Sequence, residues 1–432
     1  MTTSRMANSA PEIIICFIVL LTTGIFILIN KSISTSNIEA EVGPDYKWII
    51  HGLTNTLGYM TVLVPGIFVH KYIRKINYLD KNNSGCLYRI IQKCYAEDEL
   101  IEKSPVATSA AGQRSTCPSW VNLLINFTML QISFVSWAFL QEKVMTQEYK
   151  NDAGEIGHFK DSQFLVFVNR TLALATSGLV ILCWRQPRVR CPMYKYAFCS
   201  LSNILSSWCQ YEALMYVSFP HQVLAKAAKT IPVMIMGKVI SRTKYEYYEY
   251  VTACILSVGM LFFLLDMGNG KGSTVTTFSG AILLFAYIGF DSFTSNWQGA
   301  LFRSYSMSPV QMMFAVNLFS CMFTAVSLTQ QGNFMTSMGF IVQFPTFLVD
   351  CVMLSICSAV GQLFIYKTVA EFGPLVFAII STIRQGVSLF LSCVFYNHDV
   401  HGLGVLGIFL VFFSVLLRIY CGHRIKSRRT NV

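Results

Sequence analysis

Long uninterrupted stretches of apolar residues are the feature that most constrains the fold of this chain. Twelve of them reach the length that a helix needs to cross a bilayer, which is about 20 residues. They lie near residues 12–30, 48–70, 119–141, 162–184, 196–217, 220–240, 247–266, 276–300, 307–329, 346–367, 373–395 and 400–420. Because lipid offers no hydrogen-bond partner to backbone amides, each stretch is expected to be a helix. The predicted fold class is an all-α multi-pass membrane protein.

The composition agrees with a membrane location and argues against a nucleic-acid partner. Apolar residues make up 53% of the chain and charged residues 13%, with a mean hydropathy of +0.50, whereas soluble domains carry about 25% charged residues. The net charge of +11 comes from basic residues in short segments between the apolar stretches. That placement is typical of membrane orientation signals. The expected environment is therefore the lipid bilayer.

The apolar stretches divide the chain into five predicted regions. The first stretch continues for about twenty residues without a small-residue cleavage site, so we expect it to be retained as a span. Polar and small residues dominate residues 71–118, which we interpret as a mobile cytosolic linker. The predicted regions are two N-terminal transmembrane helices in 1–70, the linker in 71–118, five helices in 119–270, five helices in 271–422, and a basic tail in 423–432.

The distribution of Lys and Arg predicts the orientation. With the basic tail in the cytosol, segments on the cytosolic side hold twenty Lys and Arg residues and segments on the opposite side hold six. Cytosolic loops carry the excess of positive residues in membrane proteins. We therefore predict an even number of spans with both termini cytosolic.

A few cations lie inside the apolar stretches: Arg170, Lys226, Lys229 and Arg384. A Lys or Arg in the middle of a bilayer costs about 2.5 to 3.5 kcal/mol, so these side chains are expected to face the interior of the helix bundle. A shift of 155 positions places Tyr211 on Tyr366 and Lys229 on Arg384. Cations at matching places in two halves of a membrane protein indicate a pocket for an anion.

The helical periodicity groups these residues further. At 3.6 residues per turn, Gln222, Lys226 and Lys229 share one face of a helix across 220–240. If that face opposed Arg384 across a cavity, the pair of faces could hold phosphate or sulfate oxygens, with the guanidinium binding them bidentately. The alternative is that Glu212 and Asp291, which also lie within spans, neutralise the cations, although four cations against two acids leave two positive charges in excess.

Other motifs give no support to catalysis or metal binding. The segment Gly268–Gly272 is rich in glycine but lacks the spacing of a phosphate loop. His398 and His401 are typical of a solvated turn, and fourteen cysteines are spread singly without a zinc-binding spacing. We predict that the chain is not an enzyme, has no catalytic residues, and uses no metal or other cofactor.

Several segments resemble a known transporter family. They include Gln210–Leu214, Gln222–Ala227 with Lys229–Met234, Leu140–Thr146, Phe290–Gln298, and Gly361–Tyr366 leading to Arg384 and Gln385. Together they resemble the transporters for 3′-phosphoadenosine 5′-phosphosulfate, the activated sulfate donor, which belong to the nucleotide-sugar transporter group of the drug/metabolite transporter superfamily. The likeness covers about residues 119 to 425, and unbroken matches in membrane helices, where apolar residues interchange freely, are specific.

This resemblance implies a ten-helix core of two inverted five-helix repeats, preceded by two extra transmembrane helices. It implies residence in the Golgi membrane and antiport of the cytosolic sulfate donor for a luminal adenosine phosphate, which would supply luminal sulfotransferases. Two alternatives stay open: a nucleotide-sugar transporter of the same fold, and a membrane receptor or scaffold without transport. The exact counter-substrate and a homodimeric state also stay open.

Together, the residues and the resemblance give a set of site predictions. Lys226, Lys229 and Arg384 are expected to hold the phosphate and sulfate groups of the donor. Glu212 and Asp291 are expected to be structural or gating charges. Weaker candidates for substrate contact are Tyr211, Gln222, Asn296, Gln298 and Arg170.

Overall fold

The structure is a computed structural model, and α-helices dominate it. It describes residues 2–35, 47–78, 86–95, 119–146, 148–150, 156–157, 159, 162–184, 186, 191–213, 216–217, 226, 229–268, 278–305, 307–395 and 402–430. The helices in these ranges are α1 Thr2–Thr35, α2 Lys47–Lys75, α3 Cys86–Tyr95, α4 Ser119–Thr146, α5 Ser162–Cys183, α6 Tyr194–Ala213, α7 Thr230–Ser241, α8 Tyr247–Gly268, α9 Phe278–Ser304, α10 Pro309–Gln331, α11 Asn333–Gln343, α12 Pro345–Phe372, α13 Pro374–Phe395 and α14 Gly402–Thr430. Two short strands, β1 Tyr149–Lys150 and β2 Ile156–Gly157, pair antiparallel between α4 and α5.

The predicted fold class of an all-α multi-pass membrane protein is confirmed. Eight helices within the described ranges are long and apolar enough to cross a membrane, and four shorter apolar helices accompany them. Each of the twelve predicted spans coincides with a helix, and the described part of the span predicted for 220–240 includes the helix Thr230–Ser241. The helices α3 and α11 and the β-hairpin were not predicted, and α3 falls within the segment that we interpreted as a linker.

Contacts between residues divide the chain into two compact units. The first unit comprises residues 1–112, 132–201 and 304–363, and the second comprises 113–131, 202–303 and 364–432. Each unit therefore takes helices from both of the five-helix regions predicted from the sequence. The inverted symmetry of those regions remains a prediction.

In the first unit, the N-terminal helices α1 and α2 pack against each other and against α10. Polar side chains connect these helices within the apolar bundle. Asn55 Oδ1 of α2 accepts hydrogen bonds from Gln163 Nε2 of α5 at 3.3 Å and from Ser327 Oγ and Gln331 Nε2 of α10 at 3.1 and 2.6 Å. Asn30 Nδ2 of α1 donates to Gln330 Oε1 of α10 at 2.5 Å. Hydrogen bonds of this kind join helices that lie in lipid.

Aromatic contacts and a hydrogen bond hold the β-hairpin against the helices of the same unit. Tyr149 and Phe159 are buried against Phe347 at the start of α12. Lys143 Nζ of α4 contacts Asp350 Oδ1 of α12 at 2.8 Å, and the Tyr149 hydroxyl donates to Asp350 Oδ2 at 3.1 Å. Burial and the neighbouring Asp350 carboxylate raise the pKa of Tyr149, which keeps its hydroxyl protonated as the donor.

In the second unit, helices α7, α8, α13 and α14 share an apolar core. Met234, Leu256, Leu375 and Val411 are buried together, one from each helix. Arg242 ends α7 in the left-handed conformation, with φ of 49° and its N–H bonded to the Gly237 carbonyl. This core fixes the N-terminus of α7, where the predicted site lies.

Candidate functional site

Lys229 occupies the N-cap position of α7. It occupies the position before the first residue of α7, with φ of −61° and ψ of −17°, and α7 begins at Thr230. Pro232 explains the boundary, because proline lacks a backbone N–H and is tolerated in the first turn of a helix but not in its interior. Lys229 is therefore the last described residue before the regular hydrogen bonding of α7 begins.

Lys229 is buried and has two partners in the second unit. Its residue is 6% exposed, and its Nζ lies 3.3 Å from Asp291 Oδ2 of α9. The same Nζ lies 4.9 Å from the centre of the Phe377 ring of α13, an arrangement in which the ring face attracts the cation. The pairing that we weighed as the alternative for this lysine is thus present, with Asp291 as the acid.

Two more cations belong to the same cluster. Lys226 interacts electrostatically with Arg384 of α13, with Lys229 and with Asp291. Arg384 in turn lies within electrostatic range of Tyr287 on α9. The structure therefore brings together the three cations to which the sequence assigned the anion. The two lysines alone exceed the charge of the Asp291 carboxylate by one.

Two buried hydroxyl groups beside the cations have no hydrogen-bond partner in the described part of the chain. The side-chain oxygens of Thr230, in the first turn of α7, and of Ser292, next to Asp291 on α9, are inaccessible and unsatisfied among the residues that the structure describes. The first backbone N–H groups of a helix are also left without partners inside the helix and attract anions. Thr230 therefore places a hydroxyl donor and a helix N-terminus next to Lys229.

Asn296, a predicted substrate contact, connects two helices. It is 1% exposed, and its Nδ2 donates to the carbonyl groups of Val233 on α7 and Ser292 on α9, both at 2.9 Å. Gly237 allows this close approach, because a Cβ atom there would lie 2.8 Å from Asn296 Oδ1. Asn296 thus positions α7 against α9 and the cation cluster. Its Oδ1 has no hydrogen-bond partner within the described ranges.

The remaining predicted residues lie at several places. Tyr211 and Glu212 are half-buried in the last turn of α6, and Gln298 is buried on α9. Arg170 belongs to α5 of the first unit, where it interacts electrostatically with Cys321. Gln222 lies outside the described residues.

Sequence reasoning missed three residues of the cluster: Thr230, Tyr287 and Ser292. Pro232 was the available signal for Thr230, since a proline marks the first turn of a helix. Ser292 follows Asp291 within a segment that was singled out for its resemblance, but a serine in a membrane helix more often bonds its own backbone. Tyr287 lies one turn before Asp291 in an apolar stretch and carried no signal of its own.

The class of this molecule follows from its helices and from its relatives. The spans define a multi-pass membrane protein, and residues 122–422 match the model of the UAA transporter family. The chain belongs to the UAA transporter family, and it is a transporter rather than an enzyme. The resemblance identified from its motifs is thereby confirmed.

Individual relatives cover most of the chain. It is 46% identical to adenosine 3'-phospho 5'-phosphosulfate transporter 1 of Drosophila melanogaster, over 97% of this chain and 95% of the relative. The protein of the same name in Homo sapiens is 48% identical over 88% of this chain and 89% of the relative. UDP-galactose/UDP-glucose transporter 5B of Arabidopsis thaliana is 37% identical over 68% of this chain and 87% of the relative.

A solved structure shares the fold. The crystal structure of a protein that is 13% identical in sequence matches with a TM-score of 0.50, over 70% of this chain and 97% of that chain. At this identity the likeness concerns the fold alone.

Proposed function

We propose that this protein is an antiporter for 3′-phosphoadenosine 5′-phosphosulfate in the Golgi membrane. It moves this sulfate donor from the cytosol into the lumen in exchange for an adenosine phosphate, and so supplies luminal sulfotransferases. Both termini lie in the cytosol, in agreement with the excess of Lys and Arg in the segments on that side.

The observation that carries this proposal is the cluster at the start of α7. Lys226 and Lys229 lie close to the Asp291 carboxylate, and Arg384 is within electrostatic reach of Lys226. Charged side chains inside a membrane protein are costly and often mark the path of a ligand or an ion. A helix N-terminus beside cations favours a negatively charged ligand.

The chemistry of the sulfate donor fits this cluster. The molecule carries a phosphate group on the 3′ position of the ribose and a phosphosulfate group on the 5′ position, so it presents anionic oxygens at two separate places. Lysine ammonium groups and the arginine guanidinium bind such oxygens by charge-assisted hydrogen bonds. We assign the phosphate and sulfate groups to Lys226, Lys229 and Arg384.

The names of the relatives support the same substrate. The two animal relatives that are 46% and 48% identical bear the name of an adenosine 3'-phospho 5'-phosphosulfate transporter. The plant relative, at 37% identity, bears the name of a UDP-sugar transporter. Transport of a nucleotide sugar is therefore the second candidate function.

An uptake assay separates the two candidates. The purified full-length protein is reconstituted into liposomes that are loaded with an adenosine phosphate, and uptake of labelled sulfate donor is measured against unlabelled UDP-, GDP- and CMP-sugars. We expect the unlabelled sulfate donor to compete and the nucleotide sugars not to compete at equal concentration. Empty liposomes should take up much less than loaded ones, because antiport requires a counter-substrate.

Two results contradict the proposal. Uptake of UDP-galactose or UDP-glucose in preference to the sulfate donor would establish the second candidate instead. Uptake that is equal in loaded and empty liposomes would exclude exchange. Liposomes containing the Lys229→Ala variant provide the background, since that variant lacks a proposed substrate contact.

A further inference from the structure

A groove between the two N-terminal helices has a composition that suits a lipid. It is open to the outside of the helix pair and has a volume of about 340 Å³. Two lysines of α2 border an otherwise mainly apolar surface. The lining residues are Ile18, Leu21 and Thr22 of α1 and Phe68, Lys71, Tyr72 and Lys75 of α2.

The walls of the groove are apolar and exposed. Leu21 is 51% exposed and Phe68 48% exposed, although both belong to helices that are apolar enough to span a membrane. The Thr22 hydroxyl donates to the Ile18 carbonyl of its own helix at 2.6 Å and so offers no open donor to the groove. Such a surface suits a hydrocarbon chain and has little to offer a water-soluble anion.

The two lysines supply positive charge at one end of the groove. Lys71 and Lys75 lie one helical turn apart near the end of α2, and both side chains are exposed without a salt bridge to the described residues. Glu12 of α1 is an acid of this region, and it accepts a hydrogen bond from Tyr78 at 3.2 Å. The rim of the groove therefore lacks a described counter-ion for either lysine.

The order of these features along α2 matches the shape of a phospholipid. Lys75 ends the helix, and Phe68 precedes it by seven residues, which corresponds to about 10 Å along the axis. Lysine stems lie along apolar surface while their ammonium groups reach the polar interface. Charged groups thus stand at the end of the helix, and apolar walls continue from them into the depth of the bilayer.

We propose that this groove is a binding site for an anionic glycerophospholipid. The phosphate-bearing headgroup contacts the ammonium groups of Lys71 and Lys75, and an acyl chain lies against Leu21 and Phe68. Anionic lipids of the cytosolic leaflet attract basic residues that lie next to a span, and both lysines are on the predicted cytosolic side. This inference does not depend on the proposed transport activity.

Native mass spectrometry of the purified full-length protein tests the site. The protein is mixed with phosphatidylserine and phosphatidylcholine, and the lipids that stay bound are counted. We expect one phosphatidylserine to be retained in preference to phosphatidylcholine. The double variant Lys71→Gln with Lys75→Gln should lower that retention about 30-fold.

A matched control removes the same charge elsewhere. Arg89 and Lys93 are exposed on the neighbouring helix α3 and do not line the groove. The double variant Arg89→Gln with Lys93→Gln should therefore retain phosphatidylserine as the unchanged protein does. Equal loss in both double variants would overturn the proposal, since it would reveal attraction by net charge alone.

A second variant tests the apolar part of the groove. Leu21→Trp keeps both lysines and fills the slot, so it should also reduce phosphatidylserine retention. Unchanged retention in this variant, or in the Lys71/Lys75 double variant, would overturn the assignment. Glycerophosphoserine, which has the headgroup without acyl chains, should compete poorly. Competition as strong as that of the lipid would identify a site for free phosphate groups instead.

Discussion

The network around Asn55 and the cluster around Lys229 both place polar side chains inside apolar helices, but they differ in how those side chains are satisfied. Asn55 accepts three hydrogen bonds from α5 and α10. Beside Lys229, the hydroxyl groups of Thr230 and Ser292 have no partner within the described residues. The polar groups around Asn55 join helices to one another. The hydroxyl groups beside Lys229 are available to donate hydrogen bonds to a ligand.

The difference indicates separate roles for the two regions. A buried polar group without a hydrogen bond costs about 1 to 3 kcal/mol, so unsatisfied groups beside charged ones are retained where a ligand completes them. The Asn55 network stabilises the packing of the N-terminal helices on the first unit. The Lys229 cluster is suited to receive an anion.

The largest effect is expected from the loss of the lysine ammonium group at the start of α7. Lys229→Ala should lower transport of the sulfate donor about 100-fold, because a charge-assisted hydrogen bond to the substrate is lost. Initial uptake rates in liposomes measure the effect. Lys238→Ala is the matched control, since Lys238 is exposed in the last turn of the same helix.

The ion pair with Asp291 requires a second variant in that experiment. Lys229→Ala leaves the Asp291 carboxylate without its partner, which can destabilise the protein. The double variant Lys229→Ala with Asp291→Asn removes this unpaired charge and should regain stability in thermal unfolding while transport stays low. Transport near the normal rate in either variant would remove Lys229 from the site.

A smaller effect, this time on stability alone, is expected from the satisfied network. Asn55→Ala removes the acceptor shared by Gln163 and Gln331 and should lower the free energy of unfolding by about 1 to 2 kcal/mol. Unfolding in detergent measures it, with Thr54→Ala as the control, because the Thr54 hydroxyl donates to carbonyl groups of its own helix. A loss of substrate affinity in the folded Asn55→Ala protein would contradict the division of roles.

Much of the fold could be predicted, because a segment that crosses lipid must be an apolar helix of about 20 residues. Apolar length identified the spans, and buried cations identified Lys226, Lys229 and Arg384 as neighbours in one site. The beginning of α7 was missed because hydrophobicity continues on both sides of Lys229, whereas the boundary depends on Pro232. The hydrogen-bond partners of Asn55 could not be predicted either. Gln163 and Ser327 come together with Asn55 only through the packing of helices that are distant in sequence.

An effect on transport smaller than that of Lys229→Ala is expected when the charge of Arg384 is kept and its shape is changed. Arg384→Lys should reduce transport about tenfold, because an ammonium group cannot make the bidentate contact of a guanidinium with phosphate or sulfate. The apparent affinity for the sulfate donor in uptake assays measures the loss. If Arg384→Lys and Arg384→Ala retain the normal affinity, the arginine has no contact with the substrate.

The smallest effect is expected from the loss of the Thr230 hydroxyl, which has no hydrogen-bond partner among the described residues. Thr230→Val replaces an unsatisfied hydroxyl by a methyl group of similar size, so the stability of the unliganded protein should not fall. Binding of the sulfate donor should weaken about fivefold, which corresponds to one hydrogen bond. Thermal unfolding with and without substrate distinguishes the two quantities. A drop in stability without substrate would mean that the hydroxyl already has a structural partner.

The central claim is that the cations at the start of α7 form the anion site, and a structure of the protein with the bound sulfate donor tests it most directly. We predict phosphate or sulfate oxygens within hydrogen-bond distance of the Lys229 ammonium group and the Thr230 hydroxyl, with Lys226 and Arg384 also facing them. Density for the nucleotide at another place, with the Lys229 and Asp291 pair unchanged and no anion beside it, would contradict the account.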